Sequence, residues 1–210
     1  CVEDVSGRGG VDAIICNAGI MALPKLEQCF GIEKQFFTNH VGHFMLVTGL
    51  LPSLSSTGRV VMVSSAAHRA APSAGVELDN LSGERGYSGW TAYGQSKIAN
   101  LLFARHLATR FGDSGQTANA LHPGVIYTNL ARHMNPLVRA AWAIGKPLFL
   151  KTIPQGAATQ VYLAVHPDGS KTNGEYFSDC NVAESRRRGR DAQLAARLWE
   201  KTEEIVASLP

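Results

Sequence analysis

The sequence predicts an α/β fold built on a doubly wound parallel sheet. Three observations predict it. Short apolar runs of strand length alternate with longer helical stretches. The runs are apolar at successive positions, as in strands buried on both faces. The connections between most of them are short, which favours βαβ units.

The elements follow in order. Val11-Asp-Ala-Ile-Ile-Cys16 is the first strand, ended by Asn17-Ala18-Gly19. A helical stretch runs from about Glu33 to Leu51 and is closed by Pro52. The second strand, Arg59 to Ser65, is opened by Thr57-Gly58, and a polar loop with glycine and serine occupies 66–91. A helix from about Ala92 to Phe111 ends at Gly112. Thr117 to His122 is a third strand, terminated by Pro123-Gly124. Residues 128–153 hold a short helical and apolar segment. They are followed by a helix over Gln155–Val165, a fourth strand over Gly174–Ser178 and a last helix over Asp191–Ala207. With no repeat or linker in between, residues 1–210 read as one domain.

Composition narrows the function classes. Hydrophobic residues make up 45% and charged residues 18%, the balance of an ordinary globular domain. The net charge of +3 is mild, and the basic run Arg186, Arg187, Arg188 and Arg190 reads as a solvated face, so no nucleic-acid partner is expected. The four cysteines, Cys1, Cys16, Cys29 and Cys180, show no C-x-x-C spacing. They read as reduced thiols of a reducing intracellular compartment, and no metal site is expected. No apolar run approaches the roughly 18 residues that suggest a membrane span.

Three strand ends carry small or polar residues: Asn17-Ala18-Gly19, Ser64-Ser65 and Pro123-Gly124. In open α/β sheets ligands sit beyond the carboxyl ends of the strands, so these ends should line one crevice. Glycine there lets a backbone approach a ligand closely. The following helix carries Tyr93 and Lys97, four apart and on one face. An ammonium beside a phenol favours the phenolate and lowers the tyrosine pKa, so the pair suits proton exchange with an alcohol or carbonyl. Taken alone this spacing is also that of an ordinary exposed helix pair. His40, His43 and His122 read as structural histidines.

Asn17-Ala-Gly19, Asn39, Ser65, Tyr93-x-x-x-Lys97 and Pro123-Gly124 stand in the order and at about the spacing of the short-chain dehydrogenase/reductase family, which the chain resembles over nearly its whole length. The segments Asn39-His-Val-Gly-His-Phe44, Tyr93-Gly-Gln-Ser-Lys-Ile-Ala-Asn-Leu-Leu-Phe103, Leu121-His-Pro-Gly-Val125 and Tyr176-Phe-Ser-Asp-Cys180 are similar to its retinol-dehydrogenase and WW-domain-oxidoreductase branch. The resemblance implies a Rossmann-like fold and an oxidoreductase that moves a hydride between a nicotinamide cofactor, NADP by the branch with NAD as the other option, and an alcohol or carbonyl.

It also implies roles. Tyr93 would be the acid/base, and Lys97 would lower its pKa and bond the nicotinamide ribose. Ser65, selected over Ser64 by the family pattern, would hold the substrate oxygen. Asn39 would help hold a water that extends a proton relay from Lys97; by itself it also reads as a helix residue bonded to nearby backbone. Asn17, Ala18 and Gly19 would pack along the cofactor, Pro123, Gly124 and Val125 near the nicotinamide, and Thr128 near its amide or the phosphates. Thr128 equally reads as a helix cap, and the glycines as turn residues.

The family pattern also begins with a strand, a T-G-x-x-x-G-x-G turn and a helix whose N-terminus receives the pyrophosphate. Gly7-Arg-Gly9-Gly10 precedes a strand instead of following one and reads as a turn. The chain is therefore expected to be a fragment lacking the first strands and helices and inactive alone, an upstream membrane anchor being one option, with Val11–Cys16 left as an exposed apolar edge. A non-catalytic scaffold or redox-sensing module on the same fold is the alternative reading. The apolar residues of the segment between Thr128 and Ile153, among them Met134, Leu137, Trp142 and Leu150, suggest a hydrophobic substrate of retinoid, steroid or lipid-aldehyde type. With Arg139 and Lys146 nearby, 134–151 could rest on a membrane surface.

Overall fold

The computed structural model describes residues 2–7, 9–126 and 150–210. Its five-stranded sheet is formed by β1 (Val11–Cys16), β4 (Leu54–Val63), β5 (Thr117–His122), β6 (Tyr176–Ser178) and β7 (Asn181–Val182), in that spatial order. The first four run parallel; β7 turns back antiparallel on β6. A two-stranded antiparallel ribbon, β2 (Gln28–Cys29) with β3 (Ile32–Glu33), stands apart from the sheet.

The pleat sorts the β4 side chains into two cores. Val60 and Met62 point into the larger one, with Ile14, Cys16, Phe44, Leu102 and Trp199. Val61 and Val63 point into the smaller one, with Leu121, Leu163 and Phe177. Helices cover both faces, as a doubly wound sheet requires. The larger core lies under α3 (Gly42–Leu50), α4 (Gly89–Phe111) and α6 (Ala192–Ala207). The smaller lies under α5 (Ile153–Val165), which opens with a capping box between Thr152 and Gln155. In α6 the buried residues Leu194, Ala195, Leu198, Trp199, Thr202 and Ile205 recur at helical spacing, so one stripe faces the core. Phe103 stacks on Trp199 at 5.4 Å and Phe44 meets it edge-on at 4.8 Å, joining α3, α4 and α6.

β1 has β4 on one side and no strand on the other among the described residues, and Ile15 is 42% exposed. The expected apolar edge is present. The expected helix from Glu33 to Leu51 is instead composite. It starts as α2 (Lys34–Phe36), widens into a π-helical turn over Phe37–Val41, and resumes as α3. The second strand runs over Leu54–Val63 and stops before Ser64, and the expected loop contains a 3-10 turn, Ala66–Ala70. A short helix, α1 (Val2–Ser6), precedes β1. Thr128 and most of the apolar segment up to Phe149 lie outside the described residues. Among the described residues no helix is long and apolar enough to cross a membrane.

Candidate active site

Because β1, β4 and β5 are parallel neighbours, their carboxyl ends open on one edge of the sheet. Asn17 and Ala18, at the end of β1, are exposed; Gly19, Ser65, Pro123 and Gly124 are half-buried, and Val125 is exposed. The first turns of α4 close the crevice. They do so because residue 94 has no side chain: a Cβ there would stand 2.6 Å from the Ala67 carbonyl oxygen and 2.7 Å from the Ala71 nitrogen. The helix backbone therefore lies directly on the Ala66–Ala70 turn. That contact brings Tyr93, 4% exposed, beside Ser65, whose side chain draws the phenol's pKa down against the effect of burial.

The two serines are separated by geometry. Ser64 is buried and its hydroxyl donates to the Lys97 carbonyl at 2.7 Å. Ser65 caps the following turn, its Oγ accepting the Ala67 N–H at 3.2 Å, and faces Tyr93.

Lys97 is buried one turn further along α4. Its Nζ donates to the Val63 carbonyl at 3.1 Å and lies 5.5 Å from the centre of the Tyr93 ring. Asn100 donates to the same carbonyl at 3.2 Å. The expected lowering of the tyrosine pKa is not what this arrangement produces. Burial raises the Tyr93 phenol above its usual value, with the Ser65 side chain pulling the other way. Burial also pushes Lys97 down to about 8. The ammonium sits over the ring face and is turned to a carbonyl, so the cost of desolvation outweighs its attraction for a phenolate.

Asn39 occupies the π-helical turn, fully buried. Its Oδ1 accepts the Ile20 N–H at 2.8 Å, and its Nδ2 donates to the Ile20 carbonyl and to Ser96 Oγ, both at 2.9 Å. The side chain is thus committed to backbone and to a neighbouring serine. The Asn39 carbonyl lies 2.8 Å from His43 Nδ1, which must donate to it. Gly19 is small for a local reason: a Cβ would meet Asn39 Oδ1 at 3.0 Å and Lys97 Nζ at 3.6 Å. Gly124 has φ +90, and a Cβ there would strike Lys151 Cδ at 2.5 Å. Lys151 in turn is ion-paired with Asp179. Both glycines leave room for neighbouring side chains, Asn39 and Lys97 at Gly19 and Lys151 at Gly124.

Sequence reasoning missed Gly94, Ser96, Asn100, Lys151 and His68. Ser96 and Asn100 share the Tyr93–Lys97 helix, three and seven residues after Tyr93, and helical spacing was a signal for them. Nothing local marks Gly94 or Lys151. His40 and His122 are held as structural groups: His40 bridges Asn100 and Thr202, and His122 Nδ1 accepts the Ala66 N–H.

Burial pushes His40 down to about 3 and His43 to about 4. In the unfolded chain both return to the ordinary value near 6.5. Between those values the unfolded state binds more protons, so the stability they contribute is complete above about pH 6.5 and is lost as pH falls towards 4. Urea midpoints measured across that range should fall with acidification, and His40→Gln should flatten the slope. An unchanged slope in a folded variant would show that His40 is not one of the groups responsible.

Comparison with known proteins places this geometry. The family model for short chain dehydrogenase matches residues 1–138. The chain is 41% identical over 209 residues to the short-chain dehydrogenase TIC 32 A, chloroplastic, of Brassica napus, covering 95% of this chain and 65% of that protein. It is 37% identical over 213 residues to human retinol dehydrogenase 14, covering 100% of this chain and 62% of that protein. It spans a little under two thirds of the length of these curated relatives. Among solved structures, an uncharacterised protein from Mycobacterium Paratuberculosis superimposes with a TM-score of 0.75 at 34% identity, over 98% of this chain and 71% of that one. A blue fluorescent protein from a metagenomic library, solved in complex with NADPH, does so with a TM-score of 0.63 at 27% identity, over 84% and 66%. On its sequence and on its fold, the chain belongs to the short chain dehydrogenase family.

Proposed function

We propose that this chain carries the proton-handling and substrate-facing part of an NADP-dependent oxidoreductase that interconverts a hydrophobic alcohol and its carbonyl. The observation that carries the reading is the grouping of Ser65, Tyr93 and Lys97, from two separate elements, at the carboxyl edge of a parallel sheet. A relative named as a retinol dehydrogenase and a structural neighbour bound to NADPH support the substrate class and the cofactor.

The residues present fit a nicotinamide nucleotide. Lys97 spends one of its three N–H groups on Val63, and the others have no acceptor among the described residues, which suits a ribose hydroxyl. When bound, the cofactor supplies or accepts the hydride. Tyr93 then gives its hydroxyl proton to the substrate oxygen in the reducing direction and takes it back in the oxidising one. Ser65 donates to the same oxygen and steadies its developing charge. Burial of Tyr93 keeps the phenol protonated, the form a reductase needs at the start of the step. The Lys97 ammonium, 5.5 Å from the ring centre, stabilises the phenolate left behind. Asn39 holds the Ile20 backbone beside Lys97, and its carbonyl, next to His43, is assigned to the relay. Asn17, Ala18, Gly19, Pro123, Gly124, Val125 and Thr128 keep their proposed places along the cofactor.

The test is an NADPH titration of the chain by nicotinamide fluorescence, followed by turnover with retinoid and lipid aldehydes. Saturable binding with turnover is expected once the chain is joined upstream to a strand, Gly-rich turn and helix of the family pattern. Lys97→Met should weaken NADPH binding about tenfold, the loss of one charge-assisted hydrogen bond, and should lower turnover with it. Normal affinity would contradict the ribose contact.

A further inference from the structure

The turn after Ser65 is stitched to a distant part of the chain. His68, inside that turn, is fully buried. Its Nδ1 lies 2.7 Å from the Ser65 carbonyl oxygen, and its Nε2 lies 3.1 Å from the backbone nitrogen of Arg186. A carbonyl only accepts and a backbone N–H only donates. One state of the ring satisfies both partners: neutral, with the proton on Nδ1 and the lone pair on Nε2. A charged ring would set N–H against N–H at Arg186.

The Arg186 side chain tightens the same seam. Its Nη1 donates to the Ala71 carbonyl at 2.5 Å and to the Arg69 carbonyl at 3.4 Å. Arg69 returns a bond from Nη2 to the Glu184 carbonyl at 3.1 Å. For Arg186, then, the basic run is a clasp, where a solvated face was expected. Around the imidazole stand Arg69 from its own turn, Arg186 from the clasp, Tyr176 of β6 edge-on at 5.3 Å, and His122 of β5. Burial, with the two guanidinium groups, holds the ring below the usual histidine range and keeps it neutral.

We propose that His68 is a positioning residue: by fastening the Ser65 carbonyl to the backbone of Arg186, it aims the Ser65 hydroxyl at Tyr93. The inference rests on the reading of Ser65 as the residue that holds the substrate oxygen. Ser65 is extended, with φ −161 and ψ 157, and its side chain already caps Ala67. The next peptide is fixed by His122, which accepts the Ala66 N–H at 3.2 Å. The Ser65 carbonyl already accepts the His68 backbone N–H at 3.0 Å; the imidazole adds a second bond to it and couples the serine to a segment more than a hundred residues away in sequence.

The test begins with the unmodified 210-residue chain, nitrogen-15 labelled. Long-range spectra of the His68 ring at neutral pH should show a neutral imidazole protonated on Nδ1. A charged ring, or the opposite tautomer, would overturn the proposal. Next, His68→Gln, which keeps a donor and an acceptor, is compared with His68→Phe, which keeps bulk and removes both. In His68→Phe the Arg186 amide should exchange about tenfold faster, the loss of one buried hydrogen bond. The ring-carbon resonance of Tyr93 that bears the hydroxyl should also shift, as Ser65 moves relative to the phenol. Both readings should return towards the original in His68→Gln. A folded His68→Phe variant with an unmoved Tyr93 resonance would sink the idea. Ser65→Ala serves as the separate control: it should shift Tyr93 and leave the Arg186 amide alone. If Ser65→Ala leaves Tyr93 unmoved, the reading of the site fails, whatever His68 does.

Discussion

Tyr93→Phe will lower carbonyl turnover by about 10²- to 10⁴-fold, the usual worth of a positioned acid or base, and will leave NADPH binding intact. The variant removes one oxygen. The ring stays packed edge-on against Trp90 at 6.2 Å and beneath the Lys97 ammonium at 5.5 Å. Lys97 keeps its own bond to Val63, which does not involve the phenol. The cofactor contacts assigned to Lys97 therefore survive, and the loss should fall on kcat. Steady-state kinetics together with a fluorescence titration separate the two. Retained turnover would remove Tyr93 from the acid/base role; a parallel loss of binding would mean that the phenol also holds the nucleotide.

Gly94→Val will destabilise the fold at the upper end of the overpacking range, about 3 kcal/mol. At an ordinary exposed helix site, replacing glycine gains several tenths of a kcal/mol to about 1 kcal/mol. Here the sign reverses. The first carbon added stands 2.6 to 2.9 Å from Ala67, Ala70 and Ala71, and each atom it meets is backbone, which has no rotamer to yield. Either α4 or the Ala66–Ala70 turn must move, and the turn carries Ser65. Urea denaturation should show the loss, and the Tyr93 resonance should report that Ser65 has moved. Wild-type stability in Gly94→Val would show that the two elements are not in direct contact.

The strands β1, β4 and β5 were readable as short apolar-rich runs bounded by turn residues; β4 and β5 are buried on both faces where they pair, while β1 leaves Ile15 exposed. The helices α4 and α6 were readable from their length, with Gly112 marking the end of one and Asp191 the start of the other. Other elements left no local trace. The ribbon of β2 and β3 has two residues in each strand, too few for an alternation to register, and turns through Phe30 and Gly31 at positive φ. The π-helical turn over Phe37–Val41 contains no proline or glycine. Partners far away in sequence hold it, Ile20 and Ser96 on Asn39 and Thr202 on His40. β7 exists because β6 offers it an edge.

The sequence by itself determined the layered α/β class, the strand ends that form the crevice, and the tyrosine and lysine that share one face of α4. Each is a local property: an apolar run, a turn residue, a four-residue spacing. The family resemblance had selected Ser65 over Ser64; the tertiary structure supplied the physical reason, since Ser64 is spent on the Lys97 carbonyl. It alone decided that burial raises the phenol pKa, and that Gly19 and Gly124 make room for Asn39 and for Lys151. It also tied Ser65 to Arg186 through His68. Each of these depends on groups brought together from distant parts of the chain. Desolvation and hydrogen bonding act on what is near in space, and spacing along a sequence records that only within one element.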